Sequence, residues 1–277
     1  MSAIYNKAML AQLSIKRWNA QKIDRGVTSE IEALKSAHDS GKFTKALVSK
    51  ALLEPINAYL SNLSKWHVQQ TLPWTDKGPR LLSAAAFSTY STHIRGAKNK
   101  LFYLVDDLIL KYPAEVQAAR NRLGSMYDPD DYPDPSDLRS QYAISLEITP
   151  VPDQRDFRVD MADEAVNDIK MSITATIGEK QRAAVKSTYD RIRDVTSKVV
   201  ERLSDEKAIF KDTLMTNVSD LVNILDGLNI TDDEAITEIG TYLRNEIIQP
   251  PEALRRNPAL RKRTAEMAQA LLTRLPN

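Results

Sequence analysis

Two groups of cations interleaved with flat aromatic rings are the residues of this chain whose types and spacing point to chemistry. Lys16, Arg17 and Trp18 are consecutive, with Lys22 shortly after. Lys65, Trp66 and His67 precede a break at Thr71-Leu-Pro-Trp74, and Lys77 and Arg80 follow it. Ammonium and guanidinium groups neutralise phosphates, and indoles offer faces on which unpaired bases stack, so the combination suits single-stranded nucleic acid. The candidate nucleic-acid-binding residues are Lys16, Arg17, Trp18, Lys65, Trp74, Lys77 and Arg80. The competing explanation is structural: tryptophans fill cores, and lysines decorate the outer face of amphipathic helices. No named nucleic-acid-binding motif accompanies the clusters. A second basic run, Arg255, Arg256, Arg261, Lys262 and Arg263, suits phosphate or docking on acidic residues.

Other residue types give less. His38, His67 and His93 have no spacing that sets two on one helical face, so they read as structural rather than as metal ligands. Asp128, Asp130 and Asp131 invite calcium, but Tyr132-Pro133 stands where an EF-hand loop would continue toward its glycine and distal glutamate. Turn formation and capping explain these aspartates, as with Asp134 before Pro135. Adjacent carboxylates such as Asp106-Asp107 and Asp232-Asp233 point apart on a helix. There is no GxGxxG, no Walker motif and no G-x-S-x-G elbow. With no cysteine, thiolate nucleophiles, disulfides and sulfur-bound zinc are excluded. The reading is therefore a non-enzymatic protein with no catalytic residues, no metal and no cofactor.

Charge is unevenly spread along the sequence. Residues 1–127 carry 18 Lys+Arg against 9 Asp+Glu, a net of +9, whereas 128–277 carry 20 against 28, a net of −8. The split suggests an anionic partner for one end, or head-to-tail self-association. Hydrophobic content of 42% and charged content of 27% are ordinary for a globular protein, and 277 residues suffice for a substantial core. Only 8 glycines and 6% aromatics favour helices over a β-sandwich. Residues 1–19 lack the apolar core of a signal peptide, and no apolar run is long enough to span a bilayer, so a cytoplasmic location in a host cell is expected.

The elements that must position these residues follow from periodicity. Alternation over 9–18 and over Ile144, Leu146 and Ile148 predicts two strands, which most simply pair with each other. Ser29 with Glu32 predicts a helix start, and 44–70 a helix kinked or restarted at Pro55. Pro79 is placed to begin a helix to about Lys111, with Tyr90, Ile94, Ala97, Leu101, Leu104 and Leu108 as a heptad, coiled-coil-like stripe. Pro113 starts a further helical segment. The Asp/Pro-rich stretch 128–137 cannot be regular structure. Residues 162–203 predict one helix on the order of 60 Å long unless Gly178 interrupts it. Ser204, the pair Thr231/Glu234 and Asn257-Pro258 predict the later helix starts. The fold class is mainly α, long packed helices with a small two- or three-stranded β element. Its regions are a basic, mostly helical 1–127 with one strand, a loop and strand at 128–160, and an acidic helical 161–277.

Several passages together resemble a family of phage and prophage proteins without an assigned reaction. They are Leu13-Ser-Ile-Lys-Arg-Trp-Asn-Ala-Gln-Lys22, Thr71-Leu-Pro-Trp74, Ala119-Arg-Asn-Arg-Leu-Gly124, Asp130-Asp-Tyr-Pro133, and Pro150-Val-Pro with Asp156-Phe-Arg-Val159. The resemblance implies a phage setting, often beside genes for a MoxR-type AAA ATPase and a von Willebrand A-type protein, and carries over no site residue. The expectation is an oligomeric phage protein that binds single-stranded DNA through its basic half during phage DNA metabolism. The alternative is a protein-interaction adaptor or inhibitor acting on an AAA ATPase or a host defence system.

Overall fold

The structure, a computed structural model, describes residues 4–153, 163–205 and 207–276. The Asp156–Val159 passage lies outside them. The fold is mainly helical with a minor β component. Strands and helices follow in the order β1 (Ala8–Lys16), β2 (Gln21–Ile23), α1 (Arg25–Lys35), β3 (Thr44–Ala46), α2 (Lys50–Gln70), β4 (Arg80–Ser83) and α3 (Phe87–Leu123). After these come α4 (Pro135–Leu138), β5 (Ala143–Pro150), α5 (Asp163–Ser204), α6 (Thr213–Leu228), α7 (Glu234–Tyr242), α8 (Pro251–Arg256) and α9 (Pro258–Arg274).

The chain divides into two compact units, each assembled from separated segments. The first comprises Met1–Gln12, Val68–Tyr90 and Glu147–Asn277, the second Leu13–His67 and Ser91–Leu146. This division differs from the sequence regions 1–127, 128–160 and 161–277. The first unit carries 22 Lys+Arg against 24 Asp+Glu, a net of −2, and the second 16 against 13, a net of +3. Interleaving the segments dilutes the +9/−8 asymmetry of the linear sequence.

In the first unit α5 packs mainly on α9 and also on α6. Ala184, Ile192, Val199 and Leu203 of α5 and Ala265, Ala268 and Leu271 of α9 are buried in its core. Gly178 does not break α5, which runs unbroken for 42 residues. Arg261, buried on α9, donates to the carbonyls of Arg202 (2.8 Å), Leu203 (3.2 Å) and Ala208 (2.8 Å), so a guanidinium closes the carbonyl end of α5. β4 pairs antiparallel with β1, Ala8 opposite Ser83 and Ala11 opposite Arg80. Leu81 and Leu82 are both buried, a strand covered on its two faces, and this corrects the expected helix start at Pro79. The carbonyl end of α2 is closed by Arg191, which donates to Val68 O (3.0 Å), Gln69 O (2.7 Å) and Thr71 O (2.6 Å). Burial, and then the charge of Arg80, lowers the Arg191 pKa to about 10, so it stays a cation at neutral pH.

β5 lies on the other side of β1, in the order β4-β1-β5, so the two strands read from sequence are neighbours. In the second unit β2 and β3 form a separate antiparallel ribbon. The expected 44–70 helix therefore starts later, at Lys50, after β3. Leu52 N–H donates to Ser49 Oγ (3.2 Å), and the Glu115 carboxylate accepts from the Ser49 amide and hydroxyl, both at 2.9 Å. Helix α1 is capped by Asp24, not Ser29: the Asp24 carboxylate accepts from Val27 N–H (3.1 Å), which holds its pKa below the ordinary value. Pro55 and Pro113 are both exposed and lie inside α2 and α3 without ending them. Each removes one helical bond where solvent can satisfy the orphaned carbonyl.

The stripe on α3 needs one correction. Tyr90, Ile94, Ala97, Leu101 and Leu108 are buried, but Leu104 is only half-buried and Val105 takes its place, followed by Tyr112. Six steps in 22 residues give about 3.67 residues per step, the drift of an ordinary helix rather than a strict heptad. The Tyr59 hydroxyl of α2 donates to Ala97 O of α3 (3.3 Å), and Trp66 of α2 stacks on His93 of α3 with centroids 3.7 Å apart. No helix is long and apolar enough to cross a membrane among the described residues.

Candidate nucleic-acid interface

The loop that leaves β1 and one face of α2 form a groove of about 600 Å3 in the second unit. Arg17, Trp18 and Asn19 line one side. Lys50, Glu54, Asn57, Ala58, Ser61, Asn62 and Lys65 line the other. Their three- and four-residue steps put them on one helical face. From Lys50 to Lys65 that face extends about 22 Å at 1.5 Å per residue.

The charge of the groove is uneven. Arg17, Lys50 and Lys65 are exposed and form no ion pair among the described residues. Glu54 is the one carboxylate of the lining among the described residues. Trp18 is half-buried and meets Tyr112 edge to face, with centroids 5.8 Å apart and planes at 74°. That contact fixes the indole against α3 by its packing with Tyr112.

Of the seven residues singled out from sequence, the groove brings together Arg17, Trp18 and Lys65. Lys16 is exposed and its ammonium donates to Ser140 O (2.8 Å), so it fastens the strand end to a neighbouring loop. Trp74, Lys77 and Arg80 belong to the first unit. Trp74 is 8% exposed within the core there, which corrects its reading as a stacking face. Arg80 donates to Thr71 Oγ1 (2.8 Å) and Thr71 O (3.3 Å), and burial lowers its pKa. Lys77 is exposed. Lys50, Asn57, Ser61 and Asn62 were missed. Their signal was the polar stripe on α2, interrupted by Ala58, opposite buried Ile56, Leu60 and Leu63.

The other candidates have structural work. Lys45, buried, donates to Met126 O (2.6 Å) and pairs with Asp131 (2.7 Å) and Asp24 (3.4 Å). Burial alone would lower its pKa, but the hydrogen bond and charge of Asp131, then of Asp24, hold it above the ordinary value. Asp131 also pairs with Lys22 (3.4 Å), and the Asp128 carboxylate accepts from Asp130 N–H (3.0 Å). The aspartate-rich stretch is thus pinned, and it is not wholly irregular as expected: Pro129–Asp131 forms a 3-10 turn and Pro135 opens the short α4, each proline standing at a helix start where its missing N–H costs nothing. Burial lowers the His93 pKa beneath the Trp66 ring. No group of three or more His, Asp or Glu is placed to hold a metal among the described residues. In the C-terminal basic run, Arg255 pairs with Asp212 and Glu252, Arg256 pairs with Glu252, and Arg261 is internal.

Compared with protein-family models, with curated proteins and with solved structures, the chain gives no match.

Proposed function

We propose that this chain is a non-enzymatic protein that binds single-stranded nucleic acid along the α2 groove of its second unit. The observation that supports the reading is the convergence of Arg17, Lys50 and Lys65, cations without a carboxylate partner among the described residues, beside Trp18. Unpaired surface cations attract phosphates and release counterions on contact, and a fixed indole offers a base a stacking surface. The amides of Asn19, Asn57 and Asn62 and the Ser61 hydroxyl supply donors and acceptors for base edges between the charged ends. A role in phage DNA metabolism, with self-association, belongs to the same proposal and draws on the sequence resemblance and the linear charge split. Binding of a labelled single strand, compared with duplex over a salt series, tests it.

The adaptor reading has its own observation. Helix α1 buries no residue, and Ile31 and Leu34 are 44% and 79% exposed on it. An amphipathic helix with exposed apolar side chains suits docking of another protein.

A further inference from the structure

A second cavity, of about 650 Å3, lies in the first unit along α5, bounded by Gly178, Arg182, Val185, Tyr189, Arg193 and Pro276 among others. Its size falls within the range of small-molecule sites. Val185, the Tyr189 ring and Pro276 give it apolar walls. The two acids that line it among the described residues are already engaged. The Tyr189 hydroxyl donates to Asp233 Oδ2 (2.9 Å), and Asp233 Oδ1 accepts from Ala235 N–H (3.0 Å) at the start of α7. Asp190 is shared by Lys186 (2.8 Å) and Arg193 (3.3 Å), and Arg193 also donates to Pro276 O. Arg182 is exposed and forms no ion pair among the described residues.

Gly178 adds an independent observation. Glycine is the poorest helix former after proline, yet it sits inside α5. A Cβ there would meet only the Arg182 Nη1, at 3.6 Å, an ordinary contact. Packing within the chain therefore does not demand glycine. The missing side chain leaves space at the cavity beside the guanidinium.

We propose that this cavity binds a small amphiphilic carboxylate, its apolar chain against Val185, Tyr189 and Pro276 and its carboxylate on Arg182. A single guanidinium with no ion pair among the described residues matches one carboxylate through its two parallel N–H donors. A phosphate dianion would call on a second cation, and Lys186 and Arg193 are engaged by Asp190.

Octanoate is the probe, titrated calorimetrically into the full chain, with octylamine and acetate as comparators. Octanoate is expected to bind one to one and at least about tenfold more tightly than either comparator. Arg182→Gln is expected to weaken octanoate by about tenfold or more, since it removes the charge from an exposed side chain without disturbing the core. Gly178→Leu is expected to abolish binding by filling the space, with no loss of melting temperature because leucine is the better helix former. Equal binding of octylamine, octanoate affinity unchanged in Arg182→Gln, or no octanoate binding at all would overturn the proposal. Should Gly178→Leu lower the melting temperature, Arg182→Gln decides alone.

Discussion

The Trp18 indole meets the Tyr112 ring edge to face, its centroid 5.8 Å away and its plane turned by 74°. Tyr112 is itself 2% exposed, and its hydroxyl donates to Pro133 O (3.0 Å). The anchor is thus rigid, while the indole is only half-buried and borders the α2 groove. Trp74, by contrast, is a core residue. The two tryptophans, alike in sequence context, have different physical roles.

That difference gives the first prediction. Trp18→Ala is expected to cost about 1–3 kcal/mol of single-strand affinity, the loss of one stacked base. Trp74→Ala is expected to cost about 3–5 kcal/mol of folding stability instead. Paired measurements of affinity and of denaturant midpoint check both. A Trp18→Ala variant with unchanged affinity would remove the stacking role.

The α3 stripe yields a second. Leu101 is fully buried and Leu104 only half-buried. Leu101→Ala is expected to destabilise by about 2–5 kcal/mol, with Leu104→Ala well below it. Chemical denaturation of the two variants side by side gives the ordering, and equal losses would contradict it.

The tyrosines set an alkaline limb. Burial pushes the Tyr112, Tyr142 and Tyr189 hydroxyls up to about 12, and Tyr90 higher still. Their folded pKa lies above the unfolded value near 10, so the stabilisation is whole below about pH 10 and is lost as pH rises through about 12. An ultraviolet titration is expected to show a late phenolate fraction that appears together with loss of helix. All tyrosines ionising near pH 10 in the folded protein would count against this burial.

The adaptor reading has a separate test. Replacing Ile31 and Leu34 by Ser removes the exposed apolar face of α1 and is expected to leave single-strand affinity unchanged. An affinity change in that variant would link α1 to nucleic-acid binding.

Local signals carried most of the fold. Alternation at Ile144, Leu146 and Ile148 and the Asn257-Pro258 start were legible because each depends on a few adjacent residues. At the latter, the Asn257 side chain accepts from Leu260 N–H (3.0 Å). The strand Arg80–Ser83 was not, because Leu81 and Leu82 are both buried and a doubly covered strand shows no alternation. Leu104 was mistaken for Val105 because a heptad template drifts by about 20° per repeat from a straight helix. The +9/−8 split of the linear sequence does not map onto the two units for a topological reason: segments distant in sequence join into units of net −2 and +3. For the site, Arg17, Trp18 and Lys65 were legible as types. Their separation from Trp74, Lys77 and Arg80 depends on which unit each segment joins, which no local pattern encodes.

The most direct test of the groove is fluorescence anisotropy of a labelled single-stranded oligonucleotide across a salt series, for the unaltered chain and for Arg17→Glu with Lys65→Glu. For the unaltered chain, affinity for single strand is expected to fall linearly on logarithmic axes as salt rises, and to exceed that for duplex at each salt concentration. In the double variant the slope is expected to shrink by about 0.7 for each phosphate that is no longer neutralised, with the helical circular dichroism intact. Affinity and slope unchanged in a folded double variant, or no single-strand binding by the unaltered chain at low salt, would contradict the account.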